Sequence, residues 1–376
     1  MNKTVTFDGA PPPGTINFGI GQPSADLLPV DIVRVASESF FANAEPLELN
    51  YGVTEGDARF LHSLAEFLGA GYGVAASPAE LFVTGGNSQA LDLVSTVYAK
   101  PGDTVFVEEP SYFLAFQIFR DHGLNIVGIP VDDEGLCVDA LRQELALHRP
   151  AFLYTIPSYH NPGGQCTSGE RRRQVIELAT RHDFLIVADE VYQLLYYGAP
   201  PPPAYGTATA SGHVVSLGSF SKILAPGMRL GWIQTSRNLR RKLAANGFIN
   251  SGGSINHFSS HIVRQTLDSG VLAAHIEKLK GVYRDRVQTM DDALHEDFSD
   301  IAKWLRPEGG YFFWLVFDEA VDTTPIRDRA REVEAGFQAG TVFSSQGQLK
   351  NCLRLSFAHY GHDDIREGIR RLRPLF

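Results

Sequence analysis

Between about residue 50 and residue 250, short apolar runs alternate with amphipathic ones, and that alternation narrows the possible folds to a few. VFVEEP (105–110), FLYTIP (152–157), FLIVADE (184–190) and VVSLGSF (214–220) read as strands. SGERRRQVIELATRHD (168–183), lying between two of them, reads as a helix. A strand that is apolar on both sides has no face to show to water, so it must be covered twice. A mostly parallel sheet with helices on both faces supplies that cover. Ligands of such sheets gather beyond the carboxyl ends of the strands, where this chain puts its most reactive residues.

The pattern changes near residue 260. A long helical stretch, 261–298, precedes GGYFFWLVF (309–317) and CLRLSFA (352–358), which alternate as sheet strands do. The expected organisation is a large domain over 46–255 and a smaller α+β domain over 256–376, with residues 1–45 packing against the smaller one. At 376 residues the chain has the length for this division. The proline clusters at 11–13 and 200–203 read as extended loops.

A net charge of −10 argues against a general nucleic-acid binder. No apolar run approaches the roughly 18 residues of a membrane span, and the first residues lack the apolar core of a secretion signal. Cys137, Cys166 and Cys352 are widely spaced, which suits free thiols in a reducing compartment and points to the cytoplasm. Cys166 reads as a buried, inert thiol.

Two segments carry the chemistry. SLGSFSKILAPGMRLGW (216–232) places Lys222 just past an apolar strand, and FLIVADEVYQLLYYG (184–198) ends another strand at Asp189. A lysine amine and a carboxylate suit work on a pyridine aldehyde: the amine condenses with the carbonyl, and the carboxylate keeps the ring nitrogen protonated. A structural arginine would satisfy Asp189 equally well. In LFVTGGNSQALDL (81–93) a strand breaks at Gly85 and Gly86 and a helix follows, with Asn87, Ser88 and Gln89 in its first turn. Unsatisfied N–H groups there can hold an anion, or simply a polar cap. Arg229 could add a charged contact to such an anion.

Tyr112 stands where an aromatic face could cover a flat ligand, or where the core could take it. Asn161, in IPSYHNPGGQ, either caps the next helix or reaches a ligand. Tyr192 lies three residues after Asp189, so within one helical turn both would face one site. Arg354, in an apolar alternating strand, needs an anionic partner, either an internal carboxylate or that of a substrate.

The order of these segments says more than any one alone. YGVTEG, TGGNSQALDL, EEPSYF, IPSYHNPGG, VADEVY, GSFSKILAPGMRLGW, PEGGYFFWL and LRLSF together resemble the class I/II aminotransferases of pyridoxal phosphate fold type I. The resemblance runs from about residue 17 to the carboxyl terminus and is nearest to the branch of 2-aminoadipate, kynurenine and multi-substrate enzymes. It implies pyridoxal 5'-phosphate held on Lys222, with Asp189 on the pyridine nitrogen and Asn161 and Tyr192 on the phenolic oxygen. Tyr112 would stack on the ring, while Asn87, Ser88, Ser219, Ser221 and Arg229 would hold the phosphate. Tyr51 would reach the phosphate of a neighbouring subunit, which makes a homodimer the minimal unit. Arg354 would bind the α-carboxylate of an amino acid, helped by the backbone at Gly21. The implied reaction is ping-pong transfer of an amino group to a 2-oxo acid.

Two places depart from the family pattern. The turn reads NPGG rather than NPTG, and TVFSSQGQLKNCLRL (341–355) replaces a proline–glycine-rich loop beside the substrate. That loop leaves room for elimination, decarboxylation, racemisation or oxidation on the same machinery. The effector domain of a DNA-binding regulator would keep the lysine too, but carries a basic module ahead of the fold. Phe18, Tyr51, Tyr112 and Phe343 suggest a pocket for apolar or aromatic side chains.

Overall fold

The computed structural model describes residues 12–376, so the first eleven residues of the segment expected to pack with the smaller domain lie outside it. An eight-stranded sheet runs in the spatial order Leu81–Thr84, Gly231–Thr235, Val214–Ser219, Leu185–Asp189, Pro150–Thr155, Thr104–Glu109, Asn125–Asp132 and Gly135–Leu136. Pairing through its middle is parallel. Gly231–Thr235 is antiparallel to both neighbours, and Gly135–Leu136 is antiparallel to Asn125–Asp132.

Alternation along each strand sorts the core into two layers. Val105, Phe152, Val187 and Leu217 point to the layer shared with the helices Asn87–Tyr98 and Phe113–Asp121. Phe106, Leu153, Ile186 and Ala188 point to the other, filled by Leu141, Val175 and Leu178 of the helices Val138–Leu147 and Gly169–His182. Every second residue is therefore apolar twice over, which is the origin of the continuous runs in the sequence.

Register brings the reactive ends together. Ser219 pairs with Gly231, and Gly231 pairs with Thr84, so the turn at Gly85–Gly86 opens beside the loop that carries Ser221 and Lys222. Asp189 pairs with Leu217, one strand further in.

A second sheet of four strands orders Ala302–Lys303, Phe312–Phe317, Cys352–Ser356 and Gln338–Ala339, all antiparallel. Ile16–Asn17 runs parallel to Ala335–Gly336, joining the two ends of the chain. Two local expectations fail. The helical stretch expected over 261–298 is two helices, His257–Asp268 and Val271–Asp297, parted at Gly270, whose φ of 74° ends one helix and starts the next. The residues after Asp189 form two successive turns, closed by Gln193 N–H to Glu190 O and Leu195 N–H to Tyr192 O, instead of a helix. Among the described residues no helix is long and apolar enough to cross a membrane.

Candidate active site

Asp189 ends its strand with only 6% of its surface exposed. Its Oδ1 accepts from Asn87 Nδ2 at 2.7 Å and its Oδ2 from the Tyr154 hydroxyl at 3.0 Å. Burial pushes its pKa up to about 6, and these two hydrogen bonds only partly offset the rise. Among the described residues no lysine, arginine or histidine nitrogen pairs with it. A carboxylate so placed calls for a cation within its reach.

Lys222 follows the strand Val214–Ser219 by three residues and is half-buried. Its Nζ donates to the Gly21 carbonyl at 2.8 Å and lies 5.3 Å from the Tyr311 ring centre. Burial, then the positive charge of Arg354, lowers its pKa to about 8. The amine is thus substantially neutral at a mildly alkaline pH, the form that attacks a carbonyl or takes a proton.

Arg354 is 3% exposed, yet no carboxylate lies within ion-pair distance of it among the described residues. Nη1 donates to Asn161 Oδ1 at 2.9 Å and Nη2 to the Gly19 carbonyl at 2.9 Å; Nε is buried without a partner. Its guanidinium lies 4.1 Å from the Phe312 ring centre and 4.9 Å from that of Phe343. Burial lowers its pKa to about 10. The internal salt bridge that would have explained this arginine is absent from the described residues; an amide and a backbone carbonyl stand in its place. Helix capping by Asn161 is likewise replaced: Ser168 caps the helix Gly169–His182, and Asn161 faces Arg354.

Around the helix start at Asn87, Gly86 adopts φ 86°. A Cβ there would sit 3.3 Å from Arg229 Nη2, so the guanidinium lies directly on this glycine. Arg229 also donates to the Gly85 carbonyl at 3.2 Å. Ser219 Oγ donates to the Ser221 hydroxyl at 2.9 Å and accepts from the Ser221 N–H at 3.1 Å. Ser88 is exposed on the same turn. Backbone N–H groups, two serine hydroxyls and an arginine converge as an anion requires.

The sequence assigned Asn87 to this anion, but its amide nitrogen is spent on Asp189. Its Oδ1 is buried and unpartnered. Tyr192 packs 5.3 Å from Tyr311 and 6.1 Å from Phe312. Tyr112 stands at the start of the helix Phe113–Asp121, its phenol pushed up to about 12 by burial. Tyr51 is 84% exposed, and its side chain is bonded to none of these groups. Phe18 packs edge-on to Tyr360 and against Gly368, whereas Phe343 faces the Arg354 guanidinium, so Phe18 belongs to the core of the smaller domain. Cys166 accepts from the Tyr159 N–H at 3.3 Å, and burial raises its pKa, so it remains a thiol.

The sequence reading missed Tyr154, Gly19 and Phe312. Tyr154 had a usable signal: it is the one phenol in FLYTIP, and it pairs with Val187, on the same face as Asp189. Gly19 acts through its carbonyl, which no side-chain pattern reveals.

A lysine of lowered pKa, a buried carboxylate lacking a cation and a glycine-opened helix start beside an arginine, all at the α/β sheet, with the buried Arg354 of the second sheet close by, make a candidate site for a phosphorylated carbonyl cofactor. Comparison with known proteins carries this further. The family model for aminotransferase class I and II matches residues 13–372. The chain is 35% identical to the aromatic-amino-acid aminotransferase 1 of Thermococcus litoralis, over 95% of this chain and 87% of that one. It overlays the Pyrococcus horikoshii kynurenine aminotransferase, solved with PMP, at a TM-score of 0.90 and 33% identity, covering 96% and 90% of the two chains. It overlays the α-aminoadipate aminotransferase of Thermus thermophilus, complexed with N-(5'-phosphopyridoxyl)-L-leucine, at 0.88 and 31%, covering 96% and 92%. The chain belongs to the class I and II aminotransferases. It is a pyridoxal phosphate-dependent transaminase of fold type I, acting on an amino acid and a 2-oxo acid.

Proposed function

We propose that Lys222 is the amine that holds the cofactor, and that the donor is an L-amino acid with an apolar or aromatic side chain. When bound, pyridoxal phosphate supplies a carbonyl for amines and a ring that accepts electrons. Asp189, oriented by Tyr154 and Asn87, would hold the pyridine nitrogen protonated. Tyr192 and the Asn161 amide would donate to the phenolic oxygen, and the Tyr112 ring would cover one face. The N–H groups at Asn87 and Ser88, with Ser219, Ser221 and Arg229, would take the phosphate.

Arg354 would bind the α-carboxylate through its guanidinium, fixing the α-hydrogen relative to Lys222. The neutral Nζ of Lys222 would take that proton and return it two atoms away, across the amine nitrogen, so that hydrolysis would free a 2-oxo acid and leave the amino group with the cofactor. A second 2-oxo acid reverses the sequence, giving ping-pong kinetics. The observation that carries this reading is Arg354: a buried guanidinium with no carboxylate partner among the described residues, lying between Phe312 and Phe343.

The test is a visible spectrum of reconstituted protein titrated with a panel of amino acids. Aromatic donors should bleach the band and 2-oxoglutarate should restore it; donors that release ammonia or peroxide instead would rule transfer out.

The active unit is read as a homodimer. Tyr51 sits among exposed Leu47, Leu49 and Val53, an apolar stretch that suits burial against a second copy. In that copy Tyr51 would complete the neighbour's phosphate site. Mixing Tyr51→Phe with Lys222→Ala subunits in denaturant and refolding them together should then restore activity, because one site of each mixed dimer regains both residues. Activity no greater than that of the separate variants would place both residues in one chain's site. The two sheets support a division into a cofactor-binding domain over 46–255 and a smaller one over 256–376 joined by residues 12–45. Three free cysteines support a reducing compartment, the cytoplasm.

A further inference from the structure

Residues 341–355 put Ser344 and Ser345 where a proline–glycine-rich loop was expected, and they border the Arg354 site. Glu109, the last residue of the strand Thr104–Glu109, turns its carboxylate onto this segment. Its Oε2 accepts from the Ser345 N–H at 2.9 Å and from the Ser345 hydroxyl at 2.6 Å. Two residues further on, the Ser111 N–H donates to the Phe343 carbonyl at 2.9 Å. Ser344 secures the far side, its Oγ accepting from the N–H groups of Gln346 at 3.2 Å and Gln348 at 3.0 Å.

Phe343 is thereby gripped from both directions along the chain. It is fully buried, edge-on to Phe113 at 5.3 Å and to Trp314 at 5.5 Å, with the Arg354 guanidinium on its face. The neighbouring strand makes room for the clamp: a Cβ on Gly128 would lie 2.8 Å from Glu109 Oε2. The other carboxylate oxygen, Oε1, is buried with no partner. That costs stability, a cost an apolar residue would avoid, so its bonds to Ser345 are the reason to keep a carboxylate here. A proline at 345 would have no N–H to give.

We infer that Glu109 is a positioning residue that sets donor specificity: by holding Ser345 it fixes Phe343 as an aromatic wall beside Arg354. This deepens the proposed function and rests on Arg354 as the carboxylate holder. A long, flat side chain anchored at Arg354 needs that wall, whereas a methyl side chain does not reach it. Loss of the clamp therefore penalises aromatic donors selectively, because a freed Phe343 gains rotamers that fill or open the pocket.

The test compares phenylalanine and alanine as donors for the holoenzyme and its Glu109→Ala, Glu109→Gln, Ser345→Ala and Arg354→Lys variants. Glu109→Ala should raise KM for phenylalanine about tenfold, in line with the loss of a charge-assisted pair. Its kcat, its KM for alanine and its visible band should stay near those of the parent. Glu109→Gln keeps an acceptor oxygen and should restore the phenylalanine KM. Ser345→Ala should shift it in the same direction as Glu109→Ala, by less, because the Ser345 N–H remains. Equal effects on both donors, a fall in kcat alongside the KM change, or a glutamine variant as impaired as the alanine one would overturn the inference. So would an enzyme that takes alanine but not phenylalanine. If Glu109→Ala does not fold, Ser345→Ala decides alone: a shift for phenylalanine only supports the clamp, and no shift refutes it. Arg354→Lys separates the two readings, since it should raise KM for both donors; if it changes neither, the role of Arg354 falls irrespective of Glu109.

Discussion

Lys222→Ala is expected to abolish the visible band of the reconstituted enzyme and to lower kcat by at least about 10⁴-fold, the upper range for a positioned acid–base group, with the fold intact. The side chain is half-buried and its one hydrogen bond goes to the Gly21 carbonyl, so its removal leaves little of the core disturbed. Lys280, more deeply buried than Lys222, is committed to Glu277 and to the Tyr196 ring and could not stand in. The same residue predicts a pH profile. With its pKa lowered from 10.5 to about 8 by burial and Arg354, the neutral amine accumulates about tenfold per unit up to pH 8 and then levels off. The rate at which the parent protein develops its band on mixing with the cofactor should follow that curve. A rate still climbing at pH 9 would mean an ordinary, solvated lysine, and a band retained in Lys222→Ala would move the reaction to another residue.

Asp189→Asn should produce two opposite effects. Activity should fall by about 10²–10³-fold, since removing one partner of a buried charge pair costs about 3–5 kcal/mol and each 1.4 kcal/mol is tenfold. Stability of the cofactor-free protein should rise. Below pH 3.8 the carboxyl is protonated in the folded and the unfolded chain alike and contributes nothing. Between 3.8 and about 6 the folded chain keeps a proton that the unfolded chain has lost, so stability falls as pH rises. Above about 6 the full cost, about 3 kcal/mol for a rise of this size, persists. Asparagine carries no such cost, so its variant should melt about 2–5 °C higher at pH 8, a gain that shrinks toward pH 4. Thermal melts at the two pH values check this. A lower melting temperature at pH 8 would show that Asp189 is held for structure, and activity within tenfold of the parent would remove it from the pyridine nitrogen.

Much of this site was readable because a parallel sheet converts sequence position into spatial position. Asp189, Ser219 and the Gly85–Gly86 turn each close a strand, and strand ends on one edge of a sheet are neighbours by construction. What escaped the sequence followed different physics. Tyr154 meets Asp189 because of side-chain direction on adjacent strands, a matter of register, and Asn87 because it opens a helix at the same sheet edge; neither is encoded in a strand's composition. The Gly19 and Gly21 carbonyls act as backbone, so no residue type marks them. The helix expected across 261–298 ran through Ser269 and Gly270, where apolar spacing continues on both sides and only the glycine shows the break. The turns after Asp189 read as helix because the spacing of Asp189 and Tyr192 fits both.

The strand Ile16–Asn17 has a consequence for the order in which the molecule assembles. It pairs with Ala335–Gly336, more than three hundred residues away, and carries Gly19 and Gly21 to Arg354 and Lys222. A contact of such sequence separation has the largest loop-closure entropy to overcome, so it forms late, after the eight-stranded sheet has its own local pairings. During refolding, sheet structure should therefore return before catalytic competence. A protease that trims the chain just past residue 21 would leave a well-folded sheet whose Lys222 has lost its one hydrogen bond, beside an Arg354 that keeps Asn161 but not Gly19.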